Sequence, residues 1–297
     1  MNRVARSPVA GMRPERTQPS RKNVVAALNL SPEPGDVEGN LRLAERAVAE
    51  ARRYEPGLRW VVLPELFTSG YTSLASMHRY AETADGPSAR RFAALARELD
   101  VYIAYGFPER PPGRDDPFGI YDSASLVGPE GVLITYRKIH LVQESAEKSV
   151  FVPGVDLPLA SVGGVRVAIV ICWDLGFPEV VRGAAAGGAE LILAPAGWRT
   201  PYGPQYDLSC AARALDNAVY VASANQLGEY PDARFDTPGS VYGPDGRRAP
   251  ELDRGSLIRR SCALEIEPET LLRWRRSYGN PSPYSPESRD TAAANGI

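Results

Sequence analysis

Histidine and cysteine are scarce in this sequence, and their scarcity excludes several kinds of site. Among 297 residues there are only two histidines, His78 and His140, and three cysteines. No cysteine–histidine cluster has zinc-ligand spacing, so we expect no metal, and a Ser-His-Asp hydrolase would have to use one of these two histidines. An odd, sparse set of cysteines also argues against a disulfide framework and predicts a cytoplasmic protein.

Long apolar runs and a strong excess of one charge are missing as well. No apolar run approaches the roughly 20 residues that span a bilayer, and the formal net charge is -2. We therefore expect neither a membrane span nor a nucleic-acid partner. The chain is 43% hydrophobic and 24% charged, which is typical of a globular α/β protein of one large domain or two small ones.

The two ends of the chain differ from the rest. Residues 1–22 are rich in arginine and lack the apolar segment of a secretory signal. They predict a disordered basic tail, with a targeting or partner-binding arm as the alternative. Residues 276–297, rich in Pro, Ser and Ala, predict a C-terminal extension. The interval 23–275 is predicted to be one domain.

Between these ends, apolar runs alternate with amphipathic stretches. The predicted strands are 23–30, 60–65, 101–107, a hairpin over 121–138, 165–172, 190–196, 219–225 and 262–267. The predicted helices are 36–51, 88–100, 179–188 and 206–218. Buried strands that alternate with helices indicate an α/β fold with a largely parallel or mixed sheet covered by helices.

Three reactive side chains lie at the ends of predicted strands. Glu65 ends WVVLPE, Lys138 ends VLITYRK and Cys172 ends VAIVIC. Functional groups in open α/β sheets gather beyond the carboxyl ends of strands, so one shared edge would bring the three together. A thiol attacks as the thiolate, so a carboxylate would take its proton. A lysine and the backbone N–H after the cysteine would stabilise the oxyanion that forms on attack at a carbonyl.

Each of these residues also has an ordinary structural explanation. A cysteine in an apolar strand is usually a small buried hydrophobic residue. A glutamate after Leu-Pro and a lysine in a basic loop are more often solvated charges. Cys210 and Cys262 are expected to be structural, because one lies in mid-helix and the other begins a late strand. Composition and spacing alone leave both explanations open.

Three segments taken together resemble motifs of the nitrilase superfamily, the carbon–nitrogen hydrolases. They are LPELFTSGY (Leu63–Tyr71), YRKIHL (Tyr136–Leu141) and ICWDLGFPE (Ile171–Glu179), in the order and at the spacing of that family. Later segments, ARALDNAVYVASANQLG and GSVYGPDG, extend the resemblance over about residues 23–267. The resemblance implies a four-layer α-β-β-α sandwich of the nitrilase type. It also implies a homodimer or higher homo-oligomer, with no metal or organic cofactor.

The resemblance further implies a Glu-Lys-Cys triad. Glu65 would be the general base, Lys138 the stabiliser of the intermediate and Cys172 the nucleophile. The Trp173 backbone N–H would be a second donor to the oxyanion.

Many members of the superfamily carry a second glutamate shortly before Phe-x-Pro-Gly. In AEKSVFVPG that residue is Glu147, with Glu144 as an alternative in poorer register. We expect structural roles for three polar neighbours. Asp174 is expected to form a turn hydrogen bond, Glu179 to be a helix-start charge, and His140 to pack beside the lysine loop.

The sequence is less informative about the substrate. Several carboxylate-binding branches place arginine within the two positions after Cys-x-Asp, and here those positions are Leu175 and Gly176. This departure weakens a D-carbamoylase or ω-amidase interpretation unless another arginine substitutes. The candidate arginines are Arg182, Arg199 and Arg234. The predicted substrate-binding residues are Tyr71, Trp198, Tyr202 and Gln226.

We therefore predict an amidase that acts on a small, uncharged or aromatic amide through a Cys172 thioester. One alternative is an N-carbamoyl amine or amino-acid hydrolase with the same triad. A nitrilase is a third interpretation, but its motif commonly has Glu where Asp174 stands. A catalytically lapsed binding subunit is the fourth, and the retention of all three triad residues argues against it.

Overall fold

Two mixed β-sheets form the centre of this computed structural model, which describes residues 22–113, 119–143, 145, 147–230 and 233–277. The strands are β1 (Val24–Ala27), β2 (Leu58–Val62), β3 (Tyr102–Glu109), β4 (Tyr121–Gly128), β5 (Gly131–Arg137), β6 (Leu159–Val162), β7 (Val165–Ile169), β8 (Leu191–Ala196), β9 (Tyr220–Asn225), β10 (Gly228–Tyr230), β11 (Ala233–Phe235), β12 (Val241–Tyr242) and β13 (Cys262–Glu265). The α-helices are α1 (Val37–Tyr54), α2 (Pro87–Leu99), α3 (Glu147–Val150), α4 (Pro178–Ala186), α5 (Gly203–Asn217) and α6 (Pro268–Ser277). Two 3-10 helices cover Leu74–Tyr80 and Cys172–Gly176.

Both sheets follow the same plan, with parallel strands in the middle and antiparallel strands at the sides. The first sheet has the order β13-β1-β2-β3-β4-β5, and β1, β2 and β3 are parallel. The second has the order β12-β9-β8-β7-β6, and β7, β8 and β9 are parallel. Because parallel strands end at the same edge, each sheet presents the carboxyl ends of three strands together.

Helices cover the outer faces of the two sheets. Side chains of β2 alternate, so that Trp60 and Val62 enter the core shared with the second sheet, while Val61 packs with α1 and α2. On the other side, Val181 of α4 and Ala214 of α5 join the core of the second sheet. The predicted four-layer α-β-β-α sandwich is confirmed.

Local sequence explains where the longer helices begin. The side chain of Asp36 accepts the backbone N–H of Gly39 at 2.8 Å and caps α1, a contact worth about 1 kcal/mol. Helix α2 begins at Pro87, a residue suited to the first helical turn. Both helices bury one apolar face, as expected for the amphipathic stretches predicted there.

The structure differs from the sequence prediction at the cysteine and in several short elements. Strand β7 ends at Ile169, so Cys172 lies in a separate turn rather than at the last position of the strand. The turn is closed because the Asp174 N–H donates to the Ile171 carbonyl and the Asp174 carboxylate accepts the Ile171 N–H. Strand β6, the β10–β11 hairpin, α3, α6 and the first 3-10 helix were not predicted, since such short elements depend on tertiary packing.

Some predictions fall on parts of the chain without a description. Residues 1–21 of the proposed tail, residues 278–297 of the proposed extension and Glu144 all lie outside the described residues. Within the described ranges, no helix has the length and apolar character needed to cross a bilayer.

Candidate active site

One edge of the first sheet collects the charged residues of the site. Glu65 follows β2 and Lys138 directly follows β5, which runs in the same direction as β3 because β4 reverses between them. That reversal places the first residues of β4 at the same edge, including Asp122. The Lys138 backbone N–H donates to the Asp122 carbonyl at 2.9 Å.

The second sheet brings the cysteine to the same place. Cys172 follows β7 and Gly197 follows β8, and the backbone of Gly197 lies near the Cys172 sulfur, where it favours the thiolate. The Glu65 N–H donates to the Ala196 carbonyl at 3.3 Å, which ties the edge of the first sheet to the end of β8. Glu65, Lys138 and Cys172, predicted from three separate segments, therefore lie in one buried cluster.

The ammonium group of Lys138 lies among three carboxyl groups. Its Nζ is 2.7 Å from Glu65 Oε1, 3.1 Å from Glu147 Oε2 and 3.3 Å from Asp122 Oδ2. The lysine side chain is 0% exposed. A buried charge of this kind is tolerated only with close opposite charges, and removing one partner of such a pair typically costs about 3–5 kcal/mol.

Glu147 is held in place by the short segment around it. Its Oε2 also accepts the Val142 N–H at 3.0 Å, and its own N–H donates to the Ser145 hydroxyl at 3.1 Å. The structure thus places Glu147, the preferred second glutamate, in direct contact with Lys138.

The charges of this cluster set the protonation of its members. Burial raises the pKa of Glu65, but the Lys138 charge and the hydrogen bonds from Lys138 and Tyr71 outweigh burial and bring it below the usual value. Burial alone would lower the pKa of Lys138, yet the surrounding carboxylates hold it well above the usual value. An ionised carboxylate and an ammonium therefore lie side by side at neutral pH.

The thiol of Cys172 is protonated in this environment. Burial, and then the nearby charge of Glu65, raise its pKa well above the usual value. The Cys172 backbone has φ +45°, a left-handed conformation that costs a non-glycine residue about 1–3 kcal/mol and recurs at active sites. Because the thiol is neutral, it must lose its proton as the sulfur attacks, and the ionised carboxylate of Glu65 lies beside it to accept that proton.

Asp174 links the cysteine turn to the lysine segment. Its Oδ2 accepts the Tyr136 hydroxyl at 2.7 Å, and its Oδ1 accepts the His140 N–H at 2.9 Å. The imidazole of His140 lies 3.0 Å from the same Oδ1 and stacks on Phe177 at 3.7 Å. Asp174 and His140 thus make the structural contacts expected from the sequence, and Glu179 lies in the first turn of α4.

The predicted substrate-binding residues differ in their burial and in their contacts with the site. Tyr71 donates its hydroxyl to Glu65, and Trp198 packs with its ring centroid 5.3 Å from that of Trp173. Gln226 is fully buried beyond the end of β9, and neither polar atom of its side chain has a hydrogen-bond partner among the described residues. Tyr202 differs, because its side chain is 54% exposed at the start of α5.

The two positions after Cys-Trp-Asp face in different directions. The Leu175 side chain is buried in the core, whereas Gly176 is exposed and a Cβ there would meet no atom within 4 Å. Of these two positions, only Gly176 therefore leaves open space beside the cysteine turn.

The candidate arginines are engaged elsewhere or exposed. Arg182 donates to the Asp216 carbonyl, Arg234 lies by Glu229, and Arg199 is exposed.

Sequence reasoning missed two residues that contact the site or its turn. Asp122 was missed because it lies near the start of a strand, although a carboxylate within the predicted strand YDSASLV is a usable signal. Arg213 of α5 donates from Nε to the Leu175 carbonyl at 3.1 Å and holds the cysteine turn. Nothing in the helix pattern distinguished Arg213 from a surface arginine.

The acidic side chains of the site face a lysine. In the part of the chain that the structure describes, no group of three or more His, Cys, Asp and Glu residues is arranged to hold a metal ion. The three carboxyl groups of the site point instead at Lys138.

Comparisons with known proteins agree with this geometry. A family model for carbon-nitrogen hydrolases matches residues 24–270. The protein "Hydrolase in pqqF 5'region" of Pseudomonas protegens is 39% identical, over 75% of this chain and 76% of its own length. An (R)-stereoselective amidase of a Pseudomonas species is 31% identical, over 86% of this chain and 88% of its own.

A solved structure of a variant amidase from Nesterenkonia sp. AN1 also resembles this chain. It is 29% identical, covers 88% of this chain and 96% of that chain, and has a TM-score of 0.72. It shows covalent addition of the acetamide moiety of fluoroacetamide at the active-site cysteine. This chain therefore belongs to the carbon–nitrogen hydrolase family of the nitrilase superfamily and is an amidase-like enzyme of that family.

Proposed function

We propose that the protein hydrolyses the C–N bond of a small amide through a thioester on Cys172. The observation that carries this proposal is the buried contact of Glu65 with Lys138 at 2.7 Å, beside the protonated thiol of Cys172. The covalent adduct on the cysteine of the Nesterenkonia amidase supports the same nucleophile here.

The acylation step follows from the charges of the cluster. Glu65 takes the proton of the Cys172 thiol while the sulfur attacks the amide carbon. Lys138 and the Trp173 backbone N–H donate to the oxyanion, an interaction typically worth about 3–4 kcal/mol for each donor. When the C–N bond breaks, Glu65 returns the proton to the leaving nitrogen, which departs as ammonia or an amine.

The deacylation step uses the same carboxylate. A water molecule gives one proton to Glu65 and attacks the thioester carbon, and the C–S bond then breaks. The sulfur takes the proton back from Glu65, and a carboxylic acid is released. Glu147 positions Lys138 through both steps, because it contacts that ammonium without contacting Cys172 in the described structure.

The substrate is proposed to be a small uncharged or aromatic amide. Trp198 and Trp173 form an aromatic surface beside the cysteine turn, and Trp198 also stacks on Tyr206 at 5.3 Å. Gln226 supplies buried polar atoms for an amide group. Tyr202 contributes at an exposed rim.

Ammonia release from a panel of amides, N-carbamoyl compounds and nitriles tests the proposal. Turnover of amides alone is the expected result. Carbon dioxide released together with ammonia would replace the proposal with a carbamoyl hydrolase, and turnover of nitriles alone would replace it with a nitrilase. Absence of turnover, with no acyl adduct by intact mass, would leave a binding subunit.

Cysteine variants test the nucleophile. Cys172→Ala is expected to abolish both turnover and adduct formation. Cys210→Ala is the matched control, because Cys210 is also a fully buried free cysteine but lies in α5. Turnover that survives in Cys172→Ala, or is lost equally in Cys210→Ala, contradicts the proposed mechanism.

We also propose a homodimer or higher homo-oligomer. The support is the superfamily resemblance, together with a large apolar side chain, Leu208 of α5, that is 69% exposed. Light scattering on a sizing column measures the assembly directly, and the mass of a single chain would contradict it.

A further inference from the structure

The active-site cluster contains more acid than its one cation can neutralise. Three carboxyl groups, those of Glu65, Glu147 and Asp122, lie within 3.3 Å of Lys138 Nζ. If all three were ionised, a cluster whose side chains are at most 9% exposed would carry a net charge of about -2, which is strongly unfavourable away from water. At least one of the three groups is therefore expected to hold a proton.

Hydrogen bonding distinguishes the three acids. Glu65 accepts from Lys138 and Tyr71, and Glu147 accepts from Lys138 and the Val142 N–H. Asp122 is 1% exposed, and neither of its oxygens receives an aligned hydrogen bond from the described residues. The two glutamates are thus surrounded by donors that favour the ionised form, and Asp122 is not.

A proton on Asp122 would also allow a hydrogen bond that two carboxylates cannot form. Glu65 Oε1 and Asp122 Oδ2 both lie against Lys138 Nζ, at 2.7 and 3.3 Å, and a hydrogen bond between these neighbouring acids requires a proton on one of them. Burial and then the charge of Glu65 raise the pKa of Asp122 well above its usual value. The other titratable groups that face Asp122 are Lys138, Glu147 and Tyr71.

We propose that Asp122 is a neutral carboxylic acid in the resting enzyme and positions Glu65 by donating a hydrogen bond to it. It acts through Glu65 and does not contact the substrate. The donated hydrogen bond stabilises the ionised form of Glu65, so that the carboxylate is available to accept the thiol proton. It also lowers the affinity of Glu65 for that proton, which favours its transfer to the leaving nitrogen. This inference rests on the proposed role of Glu65 as the base.

Infrared difference spectroscopy tests the proton directly and needs no substrate. The spectrum of the wild-type protein minus that of Asp122→Asn at neutral pH is expected to show the carbonyl band of a protonated carboxyl group. Subtraction removes the signals of other buried acids. If the difference contains only carboxylate bands, Asp122 is ionised and the inference is overturned.

Alkylation of Cys172 by iodoacetamide tests the positioning role. Asp122→Asn retains a neutral N–H donor toward Glu65, so its alkylation rate is expected to stay within about threefold of wild type. Asp122→Ala removes the donor and is expected to slow alkylation by about tenfold and to move the acidic limb of its pH profile upward. Equal losses in Asn and Ala variants, or no loss in either, would overturn the positioning role.

The outcomes separate this inference from the proposed function. If the amide panel gives no turnover but the infrared band and the alkylation pattern appear, the proton on Asp122 stands and the assigned reaction falls. If amides are hydrolysed but the band is absent, the reaction stands and the inference about Asp122 falls.

Discussion

The hydroxyl of Tyr71 donates a 2.7 Å hydrogen bond to Oε2 of Glu65, opposite the oxygen that binds Lys138. The carboxylate is therefore held from both sides, by a phenol and by an ammonium. Burial and then the Glu65 charge raise the pKa of Tyr71 well above its usual value, so the phenol remains a donor. Although the sequence suggested Tyr71 as a pocket residue, its hydroxyl is hydrogen-bonded to the proposed base.

Tyr71→Phe is expected to raise the pKa of Glu65 and shift the acidic limb of kcat/KM to higher pH. A hydrogen bond to a charged group is worth about 1.5–3 kcal/mol, which corresponds to about 1–2 pKa units. The pH dependence of amide hydrolysis measures the shift. Tyr242→Phe is the control, since that hydroxyl donates to Asp207. An unchanged acidic limb in Tyr71→Phe would show that the phenol does not tune Glu65.

Gly197→Ala is expected to lower kcat by about tenfold and to lower Tm as well. A Cβ at Gly197 would lie 2.5 Å from the ring of Tyr71, so the ring must move and its bond to Glu65 lengthens. Gly176→Ala is the matched control, because a Cβ there meets no atom within 4 Å. Kinetics and thermal unfolding of both variants check this prediction, and equal kcat values for the two would contradict it.

Gln226→Leu is expected to raise KM by about tenfold while increasing stability. A buried amide without a partner costs about 1–3 kcal/mol, which the substitution relieves, whereas a bound amide substrate loses its polar contacts. Denaturant unfolding and steady-state kinetics measure the two effects. Gln143→Leu serves as a surface control. A gain in stability without a change in KM would place Gln226 outside the substrate pocket.

Asp122→Asn is expected to stabilise the protein increasingly as the pH rises from about 4 towards the folded-state pKa of Asp122. Burial raises that pKa above its unfolded value, so in this range the folded wild type binds a proton that the unfolded chain does not. The free energy of unfolding of the wild type then falls with rising pH, by at most about 1.4 kcal/mol per pH unit. The variant lacks this loss because its side chain at position 122 does not titrate. Urea unfolding at several pH values measures the difference between the two proteins. A difference that stays constant with pH would mean that Asp122 titrates alike in both states.

Much of the fold was predictable because hydrophobic patterns repeat with the period of each element. The alternation of Trp60, Val61 and Val62 between two cores is visible in the sequence, and so are the apolar faces of α1 and α2. Strand ends were less certain. Strand β7 ends at Ile169 because side-chain contacts of Asp174 close the next turn. A run of apolar residues in the sequence does not reveal such contacts.

The residues of the site also differ in how far the sequence predicted them. Local sequence patterns were enough to predict that Glu65, Lys138 and Cys172 lie at or near the ends of strands and carry complementary chemistry. The position of Asp122 beside them depends on the folded arrangement, because β4 runs antiparallel and brings its first residues to the edge where its neighbours end. The same packing directs the Tyr71 hydroxyl at Glu65 and leaves the side chain of Gln226 without a hydrogen-bond partner among the described residues, an arrangement that no local pattern specifies.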